Sequence, residues 1–249
     1  FAGEMRKSPR RLSFGYRDRM DEVYDFSRSV TDGRYLYIRN YYPEKPLGVL
    51  TEYQRKNEGT LAWRDLFQKG ELNETQAAFF LPKAHEEFYD MQQDPFQVHN
   101  LVGKTNHPML TRLRTELNLH LIKTRDLGFI PEAVRKIDAG DVPLKSYYAK
   151  DETYPVVEVI QLANQAANQA FPEIQPYEQA LKSNNSTVQF WGLQGMSRRT
   201  LEPTAAQWTL YTQLSETGPA TLRILAASVL GNSKTTEFRK KGINVLLTE

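Results

Sequence analysis

Apolar and polar positions change their period along this chain, and the change divides it. Residues 86–102, EEFYDMQQDPFQVHNLV, mark the transition. Phe88 and Asp90 alternate with Glu87, Tyr89 and Met91 as in a half-buried strand, and Asp94-Pro95 stops the run, because proline fixes its own φ and restricts the residue before it. Upstream, residues 24–42 read as a hairpin. Phe26, Arg28 and Val30 alternate with Ser27 and Ser29, Asp32-Gly33 supplies a tight turn with positive φ, and YLYIRNYY returns until Pro43 and Pro46 end the strand. Residues 12–16, LSFGY, predict a short buried strand that empties into the charged string RDRMDE at 17–22. Between hairpin and transition, Leu61, Trp63, Leu66 and Phe67 precede Gly70, and Leu72, Ala77, Ala78 and Phe79 follow, the pattern of two short helices.

Downstream the period is helical. Pro108 opens a helix through about residue 125, with Leu110, Leu113, Leu117 and Leu121 on one stripe that should pack on the sheet, Gly128 as its expected C-cap and Pro131 beyond. Residues 132–154 show no sustained period. Residues 156–170 predict a helix with Val159, Ile160, Ala163, Ala166, Ala167 and Ala170 on its buried face. VQFWGLQGM then matches LRILAASVLG at a fixed offset of 34 positions, pairing Val188 with Leu222, Trp191 with Leu225, Leu193 with Ala227 and Met196 with Leu230. Such a period is that of stacked helix pairs, since one pair cannot bury its apolar face without a neighbour. The expected fold is α+β: a small antiparallel sheet packed with a long helix (residues 1–130), a linker (131–155) and an all-α helical-repeat region (156–249).

Composition removes more functions than it adds. With 249 residues and 40% hydrophobic content the chain can bury a sizeable core, and 32 Lys+Arg against 30 Asp+Glu leave a net charge of +2, which gives no reason to invoke nucleic acid. The basic run of Arg6, Lys7, Arg10 and Arg11 reads as solvated surface rather than a phosphate-tracking patch. Absence of cysteine excludes disulfides, thiolate nucleophiles and Cys-based metal sites, and no apolar run reaches membrane-spanning length. A start at Phe1 without a leader-like core, and an end inside the apolar pattern GINVLLTE, lead one to expect a piece of a longer protein.

No catalytic constellation is legible. His85, His99, His107 and His120 lack metal-ligand spacing, and there is neither GxSxG nor a phosphate-binding glycine loop. Trp63 and Phe67, four apart, suit core packing better than a sugar platform. Asn73, Asn184 and Asn185 fit the short glycosylation pattern, a weak signal. The densest chemistry is RDRMDE, two arginines and several carboxylates on a loop aimed by a strand.

Four stretches together resemble the C-terminal part of bacterial sulfatases, arylsulfatase-like members of the alkaline phosphatase superfamily. They are RDRMDE; the hairpin, through Arg28, Asp32, Gly33, Arg34, Tyr35, Tyr37, Ile38, Arg39 and Asn40; the turn, through Tyr89, Asp90, Asp94, Pro95, Asn100 and Leu101; and RDLGFIPE at 125–132. Gln97 and Val98 depart from the pattern, which often places an acid there. Ser8-Pro9-Arg10 is not the nucleophile motif of that family, because proline follows the serine directly. The resemblance implies that the formylglycine nucleophile and the calcium ligands lie in an α/β domain ahead of this region, and that this chain holds no catalytic or metal-binding residue. It further implies a sulfated small molecule or glycan as substrate of the full enzyme, the chain's own N-terminal catalytic domain as its partner, a periplasmic or secreted location, and HEAT-like repeats after the sheet. On that footing Arg17, Asp18, Arg19 and Asp21 are candidate substrate-binding residues, since guanidinium groups suit sulfate or uronate and carboxylates take sugar hydroxyls. These four side chains pairing with one another or across the domain boundary is the competing reading of the loop. A non-enzymatic interaction module built on the helical repeats is the competing reading of the chain.

Overall fold

The computed structural model describes residues 11–199 and 203–248, apart from the side chains of residues 136–138. Arg6, Lys7, Arg10 and the Ser8-Pro9-Arg10 triplet lie outside the described residues. The chain forms two compact units, Phe1–His120 and Leu121–Glu249.

The first unit is built on a four-stranded antiparallel sheet in the order β1 (Ser13–Arg17), β2 (Ser27–Thr31), β3 (Tyr35–Asn40), β4 (Glu86–Asp90). The hairpin between β2 and β3 turns at Gly33, φ +97°, and the Asp32 carboxylate accepts the N–H groups of Arg34 and Tyr35 at 3.0 and 2.8 Å. Register places Phe14, Val30, Tyr37 and Phe88 in one cross-strand row and Tyr16, Arg28, Arg39 and Glu86 in the next, all on one face. Two helices, α1 (Glu58–Gln68) and α2 (Glu74–Ala77), fill the β3–β4 connection. Trp63 and Phe67 stack on Phe79 and Phe80, with centroids 4.5 and 4.9 Å apart, so these aromatics pack on one another.

A long helix, α3 (Pro108–Thr124), presents buried Leu110, Leu113, Leu117 and Leu121 on its stripe, as its spacing predicts. Its Arg114 reaches Glu86 and its His120 stacks on Phe14 at 3.7 Å, which sets it over the Tyr37 face of the sheet. Two expectations need correction. β1 is a strand but not a buried one: it lies at the sheet edge, with Tyr16 80% exposed. The left-handed residue closing α3 is Arg125, φ +50°, rather than Gly128. The Asp126 N–H bonds the Leu121 carbonyl and the Arg125 N–H that of Ile122, a Schellman closure. Arg125 tolerates the conformation because its guanidinium donates to the carbonyls of Tyr148, Lys150 and Tyr154 and to Asp151.

The second unit continues with α4 (Glu132–Ala139) and α5 (Leu144–Tyr147), short helices in the stretch expected to be linker. Then follow α6 (Val156–Ala167), α7 (Gln175–Leu181), α8 (Ser186–Ser197), α9 (Ala205–Thr217), α10 (Ala220–Gly231) and α11 (Thr236–Thr248). α6 stops before the predicted 170, where the Asn168 side chain takes the Ala170 N–H and leaves Ala170 exposed. α8 packs on α6, α7 and α10, and α10 on α8, α9 and α11. α10 begins and ends 34 residues after α8. The offset also holds for their partners: buried Tyr177, Ala180 and Leu181 of α7 correspond to buried Tyr211, Leu214 and Ser215 of α9.

Candidate functional site

The strands finish together at one end of the sheet, where Arg17 is in register with Ser27, Ser27 with Asn40, and Arg39 with Glu86. Side chains far apart in sequence meet here as ion pairs. Asp25, almost fully buried, accepts both a bidentate contact from Lys83 Nζ at 2.7 Å and the approach of Arg17 Nε at 3.5 Å. Asp18 pairs with Arg28 at 2.9 Å. Arg28 sits directly across from Arg39, and Arg39 across from Glu86.

Around Glu86 the geometry is tightest. Arg114 grips the carboxylate with two bonds, Nε to Oε1 at 2.8 Å and Nη2 to Oε2 at 2.9 Å. Arg39 Nη2 and the Tyr37 hydroxyl also donate to Oε1, and Arg39 bonds the Tyr37 oxygen through Nε at 3.0 Å and Nη2 at 2.7 Å. Burial would raise the Glu86 pKa, but the Arg114 hydrogen bonds and the Arg39 charge, with the Tyr37 hydroxyl, outweigh it and hold the group at about 2. Burial pushes Tyr37 up to about 12, so it stays a neutral donor to the carboxylate. His85, with Nε2 3.7 Å from Glu86, is driven below its ordinary value by burial, and the two arginines add to that against the pull of the carboxylate.

The four predicted site residues are thus divided. Arg17 and Asp18 are held in ion pairs at the sheet end. Arg19 and Asp21 lie in the exposed turn, where Asp21 takes φ +49° and an isolated bridge joins Met20 to Val23. Sequence reasoning did not propose Asp25, Lys83, Glu86 or Arg114 as site residues, because only strand register and α3 bring them together. Arg28 and Arg39 did carry a signal, as positions within the sulfatase-like hairpin.

Several other motif residues serve the scaffold. Asp94 accepts the Val98 and His99 N–H groups at 3.1 and 2.7 Å around Gln97, φ +56°. Asn100 bonds the open edge of β4, accepting from Phe88 N–H at 3.0 Å and donating to Glu86 O at 2.9 Å, and Asp90 holds Arg34 at 2.8 Å. Among the described residues no group of three His, Asp or Glu side chains comes together that could hold a metal ion. No described helix is long and apolar enough to cross a membrane.

No protein-family model matches the chain. Over 135 residues it is 33% identical to the ulvan-active sulfatase of Formosa agariphila, a match that covers 53% of this chain and 23% of that protein. The chain therefore spans under a quarter of its relative's length by this match.

Proposed function

We propose that this chain is the C-terminal part of a sulfatase that hydrolyses sulfate esters on an anionic glycan, and that it supports a catalytic domain rather than carrying out the reaction. The observation that carries this reading is the 33% identity to an ulvan-active sulfatase over more than half of the chain. It is joined by a sheet end that gathers charge-pairing side chains from segments far apart in sequence. In this reading the nucleophile and calcium belong to the preceding domain, the protein is periplasmic or secreted, and the loop bearing Arg17, Asp18, Arg19 and Asp21 lines the substrate cleft. The helices from α6 onward are HEAT-like repeats that extend the scaffold.

The 34-residue offset, which runs through both helices of the pairs α7–α8 and α9–α10, favours a second reading: an interaction module in which the stack binds a partner and the sheet is a platform. Recovery of the coding sequence ahead of Phe1 separates the two. A Cys- or Ser-x-Pro-x-Arg motif there, with sulfate release from a sulfated polysaccharide by the longer protein, supports the enzyme; an unrelated domain and no release overturn it.

A further inference from the structure

We propose that Arg39 and Arg114 form an oxyanion-binding site that takes a sulfate group, with His85 at its rim. The proposal deepens the sulfatase reading and rests on it in naming sulfate as the ligand; the excess positive charge is read from the geometry alone. Two permanently charged guanidinium groups share the single Glu86 carboxylate, so the cluster carries one uncompensated positive charge. The Arg39 side chain is 9% exposed, so its share of that charge is screened less than a surface charge would be. Glu86 cannot neutralise both: its Oε1 already accepts from Tyr37, Arg39 and Arg114, and its Oε2 from Arg114.

Neighbouring carboxylates are engaged elsewhere, Asp18 with Arg28 and Glu87 with Asn40 and Tyr89. The bonds within the cluster use Nε and Nη2 of each arginine, leaving the Nη1 groups for a ligand. Arg114, 35% exposed, gives access from solvent. A tetrahedral oxyanion matches this demand: it supplies the missing negative charge and offers separate oxygens to more than one guanidinium donor. The same three oxygens are presented by free sulfate and by a sulfate ester on a sugar, and both are tested.

The experiment is thermal unfolding of the 249-residue chain at constant ionic strength, with sodium sulfate or glucose 6-sulfate replacing sodium chloride, together with calorimetric titration of sodium sulfate. A saturable rise in Tm with sulfate is expected in the wild type and in Arg34→Gln, an arginine outside the cluster, and a loss of that rise in Arg114→Gln, which leaves a neutral Arg39–Glu86 pair. An equal or larger response to glucose 6-sulfate assigns the site to the ester; a response to sulfate alone assigns it to the free ion. An equal rise in wild type and Arg114→Gln, or no rise beyond that in chloride, overturns the proposal. If Arg114→Gln does not fold, the wild-type titration decides, and absence of saturable heat is the negative result. Because the probe is added to this chain, the outcome is independent of whether the longer protein releases sulfate from any polymer.

Discussion

Glu86 and Arg125 show how much one side chain can organise in this protein. The Glu86 carboxylate is held near a pKa of about 2 against an ordinary value of 4.5, so its folded state binds its proton more weakly than the unfolded chain does. The stabilisation is therefore complete above about pH 4.5 and is lost as pH falls toward 2, by on the order of 3 kcal/mol in total. His85, lowered from 6.5, acts in the same direction at higher pH, since the unfolded chain takes up that proton first and stability falls as pH drops below 6.5. Glu86→Gln is expected to destabilise the fold at pH 7 by about 3–5 kcal/mol, because it leaves buried guanidinium groups uncompensated. It should also flatten the acid limb between pH 4.5 and 3, read as Tm against pH by circular dichroism. Arg125 pays for its left-handed backbone with four hydrogen-bonding contacts. Arg125→Ala loses the contacts and keeps the strain, whereas Arg125→Gly loses both, so the glycine variant should be more stable than the alanine variant by about 1 kcal/mol in chemical denaturation. The opposite order would remove backbone strain from the account.

At the scale of elements, strands and helices obey their local patterns, but their ends and crossings depend on contacts. α7 and α8 approach closely because Gly192 and Gly195 face Ala180 and Tyr177: a Cβ on Gly195 would lie 2.2 Å from the Tyr177 ring. Gly195→Ala should therefore cost about 1–3 kcal/mol in urea unfolding despite alanine's higher helix propensity, the reverse of what an exposed helical glycine gives. An unchanged midpoint would show that α7 shifts freely. The hairpin, the leucine stripe of α3 and the 34-residue offset were all legible from spacing. The exposure of β1 was not, since alternation locates a strand without saying whether it lies at the centre or the edge of its sheet. The Schellman closure at Arg125 was also hidden, because the residues that satisfy its guanidinium lie 23 to 29 positions away.

For the molecule as a whole, the functional question is whether the charged end of the sheet meets a substrate in a longer protein. In that protein, Arg17→Ala and Arg19→Ala should lower kcat/KM by roughly 1.5–3 kcal/mol equivalent if the loop lines the cleft. Arg17 also approaches Asp25, which retains Lys83, so its removal should leave the fold largely intact. Normal kinetics with a lowered Tm would place both arginines in the scaffold alone. Measuring stability and kinetics on the same variants separates the two roles.

The sequence by itself determined the α+β class, the hairpin, the long amphipathic helix and the helical second half, because apolar periodicity, turn residues and proline positions act over a few neighbours. It also carried, in several short motifs, the likeness to sulfatases. Only the tertiary structure decided what those motif residues do, with Asp94 and Asn100 holding a turn and a strand edge while Arg39 joins Glu86 and Arg114. The physical reason is that ion pairs and hydrogen bonds depend on distances of about 3 Å between groups that register and helix packing bring together, and neither is written in the local pattern of any one segment.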